Sequence, residues 1–84
     1  MEDITIKFTF KHSEVKIQAK RNEYLKDIFN RYAGKSGNNI NEIFFLFNGV
    51  YLNGEIKLEE INKKDNELLI VVYELHQNDN EQDI

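Results

Sequence analysis

Two stretches of strict apolar–polar alternation, divided by a short polar break, constrain this chain more than any other feature. Ile4, Ile6, Phe8 and Phe10 interleave with Thr5, Lys7, Thr9 and Lys11; after His12-Ser13, Val15, Ile17 and Ala19 interleave with Lys16, Gln18 and Lys20. A period of two puts the apolar side chains of each run on one face of a strand. Two such runs across a short break read as an antiparallel hairpin with one face to bury.

The next segment supplies the cover. Leu25, Ile28, Phe29 and Tyr32 recur at i, i+3, i+4 and i+7, the spacing of one helix face, with Lys26, Asp27, Asn30 and Arg31 on the other side. Asn22 is the expected N-cap, and Glu23 adds a negative charge near the positive end of the helix dipole. Gly34 and Gly37, with Ser36, Asn38 and Asn39, are expected to stop the helix.

Beyond it lies the apolar run Ile43–Phe47, of strand length and expected to be buried on more than one side. Asn48-Gly49 then signals a tight hairpin, because the favoured turn needs positive φ at both positions. Val50-Tyr51-Leu52 reads as a short return strand, closed by a second Asn-Gly at 53 and 54, and Leu58–Ile61 as a single helical turn. Leu68–Tyr73 is nearly continuous in apolar residues, the pattern of a central strand.

Size and charge set the outer bounds. A chain of 84 residues without Cys holds one domain, which apolar packing alone must stabilise, and 40% hydrophobic residues suffice for that. No apolar run is long enough to span a bilayer, and the N-terminus does not read as a leader. The absence of Cys suits a reducing compartment, and the expectation is an intracellular protein, cytoplasmic or nuclear. The formal charge is −4, but Asp79, Glu81 and Asp83 lie in the last nine residues, which leaves residues 1–75 at −1. The reading is a domain over 1–75 and a flexible acidic tail or linker over 76–84. A near-neutral body whose basic residues come in pairs, Lys20-Arg21 and Lys63-Lys64, does not suit nucleic-acid binding, and the pairs read as solvated surface.

The order hairpin, helix, strand, short return strand, single turn, central strand resembles a ubiquitin-like β-grasp domain over residues 4–75. Its most specific segment is Ile43-Phe44-Phe45-Leu46-Phe47-Asn48-Gly49, similar to the third strand and turn of ubiquitin and its small modifier relatives. Glu14–Lys20 running into Leu25 and Tyr32 resembles the second strand and helix of the SUMO-type modifiers, with about three residues inserted between Tyr32 and Asn38. Leu58-Glu59-Glu60-Ile61-Asn62 is similar to the single turn ubiquitin places before its last strand. The resemblance implies an α+β fold with one main helix packed across a mixed sheet of four or five strands.

It also implies two protein-binding surfaces. In ubiquitin one sheet face offers an apolar patch, and the matching positions are Leu46, Leu69 and Val71; the member from the first turn is missing, since that turn is short and offers His12-Ser13. The ordinary alternative is that these are half-buried strand residues covering one another with Phe44. In SUMO-type modifiers a groove between the second strand and the helix receives an extended apolar peptide. Here Val15, Ile17, Ala19 and Ile28 would line it and Lys20 and Lys35 would face acidic flanks, with Gln18 where a cation is usual. The alternative there is core residues and solvated lysines.

Covalent modifiers of this family end in Gly-Gly, and no Gly follows Gly54. The expectation is therefore a non-conjugated, non-enzymatic interaction module of a larger protein, monomeric alone, whose partners are proteins such as ubiquitin- or SUMO-pathway receptors. A modifier lacking its Gly-Gly, or a scaffold subunit of an assembly, is the alternative. No residue pattern suggests catalysis, a metal or a cofactor. Gly34-Lys35-Ser36 lacks the earlier Gly of a phosphate loop, that place holding Phe29, and follows a helix instead of opening one. His12 and His76 stand apart from ligand-spaced partners, and Glu59-Glu60 reads as a solvated pair.

Overall fold

The computed structural model describes residues 3–75, so the expected acidic tail, 76–84, lies outside the described residues. β1 (Asp3–Phe10) and β2 (Ser13–Lys20) form the expected hairpin, in register from Asp3↔Lys20 to Phe10↔Ser13. Its turn residues are Lys11 and His12, one position earlier than the polar break suggests. Alternation fixes which face is apolar but not which residues turn. The tight loop needs a positive φ, which Lys11 adopts at 56°.

α1 (Leu25–Ser36) lays Leu25, Ile28, Phe29, Tyr32 and Ala33 into the core. Its N-cap is Tyr24, not Asn22, and no side chain caps it. The orphan donors of the first turn are satisfied by a distant loop instead: Leu25 N–H donates to the Ile56 carbonyl at 2.9 Å and Lys26 N–H to the Gly54 carbonyl at 3.0 Å. Such a cap is invisible to local sequence. At the other end Gly37, at φ 85°, is the left-handed C-cap, its N–H bonded to the Ala33 carbonyl, whereas Gly34 stays inside the helix.

A one-turn 3-10 helix (Ile40–Glu42) leads into β3 (Ile43–Phe47), and Asn48 and Gly49, at φ 53° and 79°, turn it into β4 (Val50–Tyr51). Both carry the positive φ the Asn-Gly pair demands. The second pair, Asn53-Gly54, is different: neither residue has positive φ. Asn53 instead folds its side-chain oxygen onto the Glu55 N–H at 2.8 Å, and the missing side chain of Gly54 lets the loop touch α1. A second 3-10 turn (Leu58–Glu60) precedes β5 (Glu67–Glu74).

The five-stranded sheet runs β2-β1-β5-β3-β4. β5 is central, parallel to β1 and antiparallel to β3, as its apolar run suggests. Between sheet and helix four rings form two stacked pairs set nearly at right angles: Phe29 on Phe45 (centroids 3.8 Å) and Phe8 on Tyr32 (4.5 Å), with Phe8 edge-on to Phe45 at 5.8 Å. This cluster ties β1, α1 and β3 together around Ile4, Ile6, Leu25, Ile28, Leu58 and Ile70, all fully buried. The Tyr32 hydroxyl reaches the rim, where it accepts from Asn38 Nδ2 at 3.0 Å. One helix on a mixed five-stranded sheet is the β-grasp architecture that the order of elements predicts.

Candidate functional site

Strand alternation leaves the sheet with a second, helix-free face. On β5 the buried residues are Leu68, Ile70 and Val72, so Leu69, Val71 and Tyr73 point the other way. Register brings further residues to that side, because directly paired residues share a face. Val71 pairs with Leu46, Leu46 with Tyr51, and Tyr73 with Phe44. The three expected patch residues are thus assembled: Leu46 and Val71 are half-buried, and Leu69 is 52% exposed.

Three aromatics extend this patch beyond what the sequence suggests. Phe44 stacks on Tyr73 (centroids 5.6 Å) and lies 6.0 Å from Tyr51; Tyr73 and Tyr51 are 48% and 66% exposed. Ile43–Phe47 is therefore not buried on both sides: Ile43 and Phe45 enter the core, whereas Phe44 and Leu46 belong to the outer face. A signal for this was available. The Asn48-Gly49 turn sets Tyr51 opposite Leu46, and alternation sets Phe44 beside it. The other half of the outer face, on β1 and β2, is polar. There Thr5 and Gln18 exchange hydrogen bonds, Lys7 pairs with Glu14 at 3.8 Å and Lys20 with Asp3 at 2.7 Å. The Lys20 hydrogen bond lowers the Asp3 carboxyl below its ordinary range. His12 is exposed in the first turn and adds no apolar surface.

The groove between β2 and α1 is not lined as expected. Ile17, Ala19 and Ile28 are 7%, 2% and 0% exposed, and they belong to the core beneath the helix. Only Val15 and Lys35, with Phe10 and Tyr32, border a shallow depression at the end of β2 near the helix C-terminus. The two cations are engaged within the domain, Lys35 from α1 and Lys20 on the outer face. Lys35 Nζ donates to the Lys16 carbonyl at 3.1 Å, and Lys20 is held by Asp3. Missed in the sequence is Arg31, which donates to the Gln18 carbonyl at 3.0 Å and to Glu23 Oε1 at 2.6 Å. That hydrogen bond holds the Glu23 carboxyl below its ordinary range, against partial burial, and raises the Arg31 guanidinium.

Two smaller readings also change. Arg21 is not plain solvated surface: it donates to the carbonyls of Asn62 and Asp65, tying down the loop before β5. Glu60 caps its own turn, accepting from the Lys57 N–H at 3.0 Å. Among the described residues no group of three or more His, Cys, Asp or Glu is placed to hold a metal, and no helix is long and apolar enough to cross a membrane.

Solved structures share this arrangement. The ubiquitin-like domain of an Arabidopsis thaliana protein superposes with a TM-score of 0.81 at 16% identity, over 98% of this chain and 87% of that one. The ubiquitin of Caldiarchaeum subterraneum gives 0.74 at 12% identity, over 83% of this chain and 90% of its own. At such identities the likeness speaks for the fold. No curated protein sequence matches the chain. The family described as ubiquitin-2 like, Rad60 SUMO-like, matches residues 3–73, nearly the whole of the described structure, and the chain belongs to that family.

Proposed function

We propose that this ubiquitin-like domain is a non-catalytic protein-interaction module that binds through the helix-free face of β5, β3 and β4. One observation carries the reading: Leu46, Leu69 and Val71 share that face with Phe44, Tyr51 and Tyr73, and several of these keep about half or more of their surface in water. Contiguous apolar surface of this kind on a small domain marks a docking site more often than chance exposure. Aromatic anchors with a polar border of Lys7, Thr9 and Glu14 match the anatomy of a protein interface. One such patch buries little area, so affinity is modest. The partners are other proteins, receptors of the ubiquitin or SUMO pathways among them, met inside the cell by a monomer.

The test compares wild type with Leu69→Asp and Leu46→Asp. Leu69 is 52% exposed, so its variant keeps the fold. Proteins captured by the wild type and lost by both variants are then titrated into isotope-labelled domain and followed by amide shifts. Shifts confined to β3, β4 and β5 are expected. Partners bound equally by all three proteins, or shifts centred on residues 55–66, would remove the outer face from the reading.

A further inference from the structure

β2 is a margin of the sheet, where a strand ordinarily presents unpaired N–H and C=O groups that invite another strand. Its outward-turned peptide groups belong to the even-numbered residues, and in this chain the carbonyls of Lys16, Gln18 and Lys20 and the N–H of Lys20 are engaged from within. Lys35 Nζ donates to the Lys16 carbonyl at 3.1 Å and Arg31 Nη2 to the Gln18 carbonyl at 3.0 Å. Glu23 takes both groups of Lys20: its carboxylate accepts from the Lys20 N–H at 2.8 Å, and its own N–H donates to the Lys20 carbonyl at 3.1 Å. Arg31 and Glu23 also grip each other, at 2.6 and 3.2 Å.

The fit between helix and strand has a simple cause. Four helical residues rise about 6 Å, and two strand residues advance about 6.6 Å. α1 runs antiparallel to β2, since Lys35 meets Lys16 and Arg31 meets Gln18. Long cationic side chains one turn apart therefore reach successive outward carbonyls of the strand. Each is a charge-assisted hydrogen bond in the plane where an added strand would place its own N–H groups.

We propose that Lys35, Arg31 and Glu23 form a side-chain latch that closes the β2 margin to strand addition, so that the resting domain accepts neither an extended peptide nor a second copy there. The latch is independent of the outer-face patch, and failure of one leaves the other standing. Opening the margin requires removing the two cations, both of them exposed side chains of the helix. Alanine at both places keeps a strong helix former, so the fold survives.

The probe is an acetylated, amidated seven-residue peptide of alternating valine and threonine, closed by glutamate at each end. It is titrated into isotope-labelled wild type and into the double variant Arg31→Ala/Lys35→Ala, with amide shifts read along residues 14–20. The wild type is expected to show no saturable shift there. The double variant is expected to show shifts that saturate, with apparent affinity at least about tenfold higher, and Lys35→Ala alone a smaller gain. Should the double variant lose its far-ultraviolet dichroism, the single variant decides in its place. Saturable shifts along 14–20 in the wild type, or none in the variants, would overturn the latch.

Discussion

Gly54 offers the sharpest test of how the helix is held, because the sign of the effect is at stake. Its φ is not positive, so alanine can adopt the backbone without strain. In most such places Gly→Ala stabilises by about 0.4–1 kcal/mol, by restricting the unfolded chain. Here an added Cβ would lie 2.9 Å from Lys26 Cβ and 3.3 Å from Lys26 Cα. Carbon atoms pack at about 3.5–4.0 Å, so the loop must lift by roughly half an ångström or more. Lys26 Cβ is fixed by the helix backbone and cannot swing aside. Lifting the loop draws the Gly54 and Ile56 carbonyls away from the two N–H groups they cap. Overpacking costs about 1–3 kcal/mol and a weakened backbone hydrogen bond about 1 more, against the unfolded-state gain. The net expectation is destabilisation by about 1–3 kcal/mol, a fall in urea midpoint of roughly 1–3 M for a domain of this size. Urea unfolding followed by circular dichroism reads it, with Gly34→Ala as the control. Gly34 lies inside α1 with nothing within 4 Å of its added Cβ, so that variant gains about 0.5–1 kcal/mol. If Gly54→Ala matches or exceeds wild-type stability, the loop does not press on the helix and the capping account is wrong.

Two further outcomes test the core and the latch. Phe45→Ala removes the ring that stacks on Phe29 and meets Phe8 and Tyr32 edge-on, and a loss of about 3–5 kcal/mol takes up much of the stability of a domain this small; calorimetry showing a thermal midpoint within a few degrees of wild type would contradict the packing described. Glu23 is held below its ordinary pKa of 4.5, so its contribution is complete above that value and drains away as the pH falls through the lowered folded-state value. The stability difference between wild type and Glu23→Gln in urea titrations is therefore flat from neutral pH to about 5 and shrinks in acid. A difference that grows as acid is added would reverse the assignment.

Residues that act through their neighbours in sequence were the legible ones. The alternation at 4–10 and 15–19, the helical spacing from Leu25 to Tyr32 and the Asn48-Gly49 turn each encode a local geometry, and together they led to the β-grasp. The apolar run at 68–73 marked β5 as central for the same reason. What escaped was set by distant segments. Asn22 has the chemistry of a cap, but Gly54 and Ile56 do the capping from about thirty residues away. Ile17 and Ile28 look like groove residues in a list of apolar positions, yet both are buried in the core, Ile28 on the inner face of the helix and Ile17 on the covered face of β2. Arg31 reads only as a polar residue on the far side of the helix and Lys35 as a groove cation, because nothing in the helix pattern says which strand carbonyls lie within reach. Phe44, Tyr51 and Tyr73 lay between these cases, since strand register alone would have gathered them beside Leu46 and Val71.

The parallel pairing of β1 with β5 carries a mechanical consequence. Thr5 to Thr9 lie alongside Glu67 to Val71, pointing the same way. Tension applied ahead of Asp3 and beyond Leu75 drags these two strands past each other lengthwise. Every bond of their ladder then bears the load together, where a peeling force would part them singly. A polypeptide wired this way resists being stretched from its two ends far better than being pried open at the β3–β4 side.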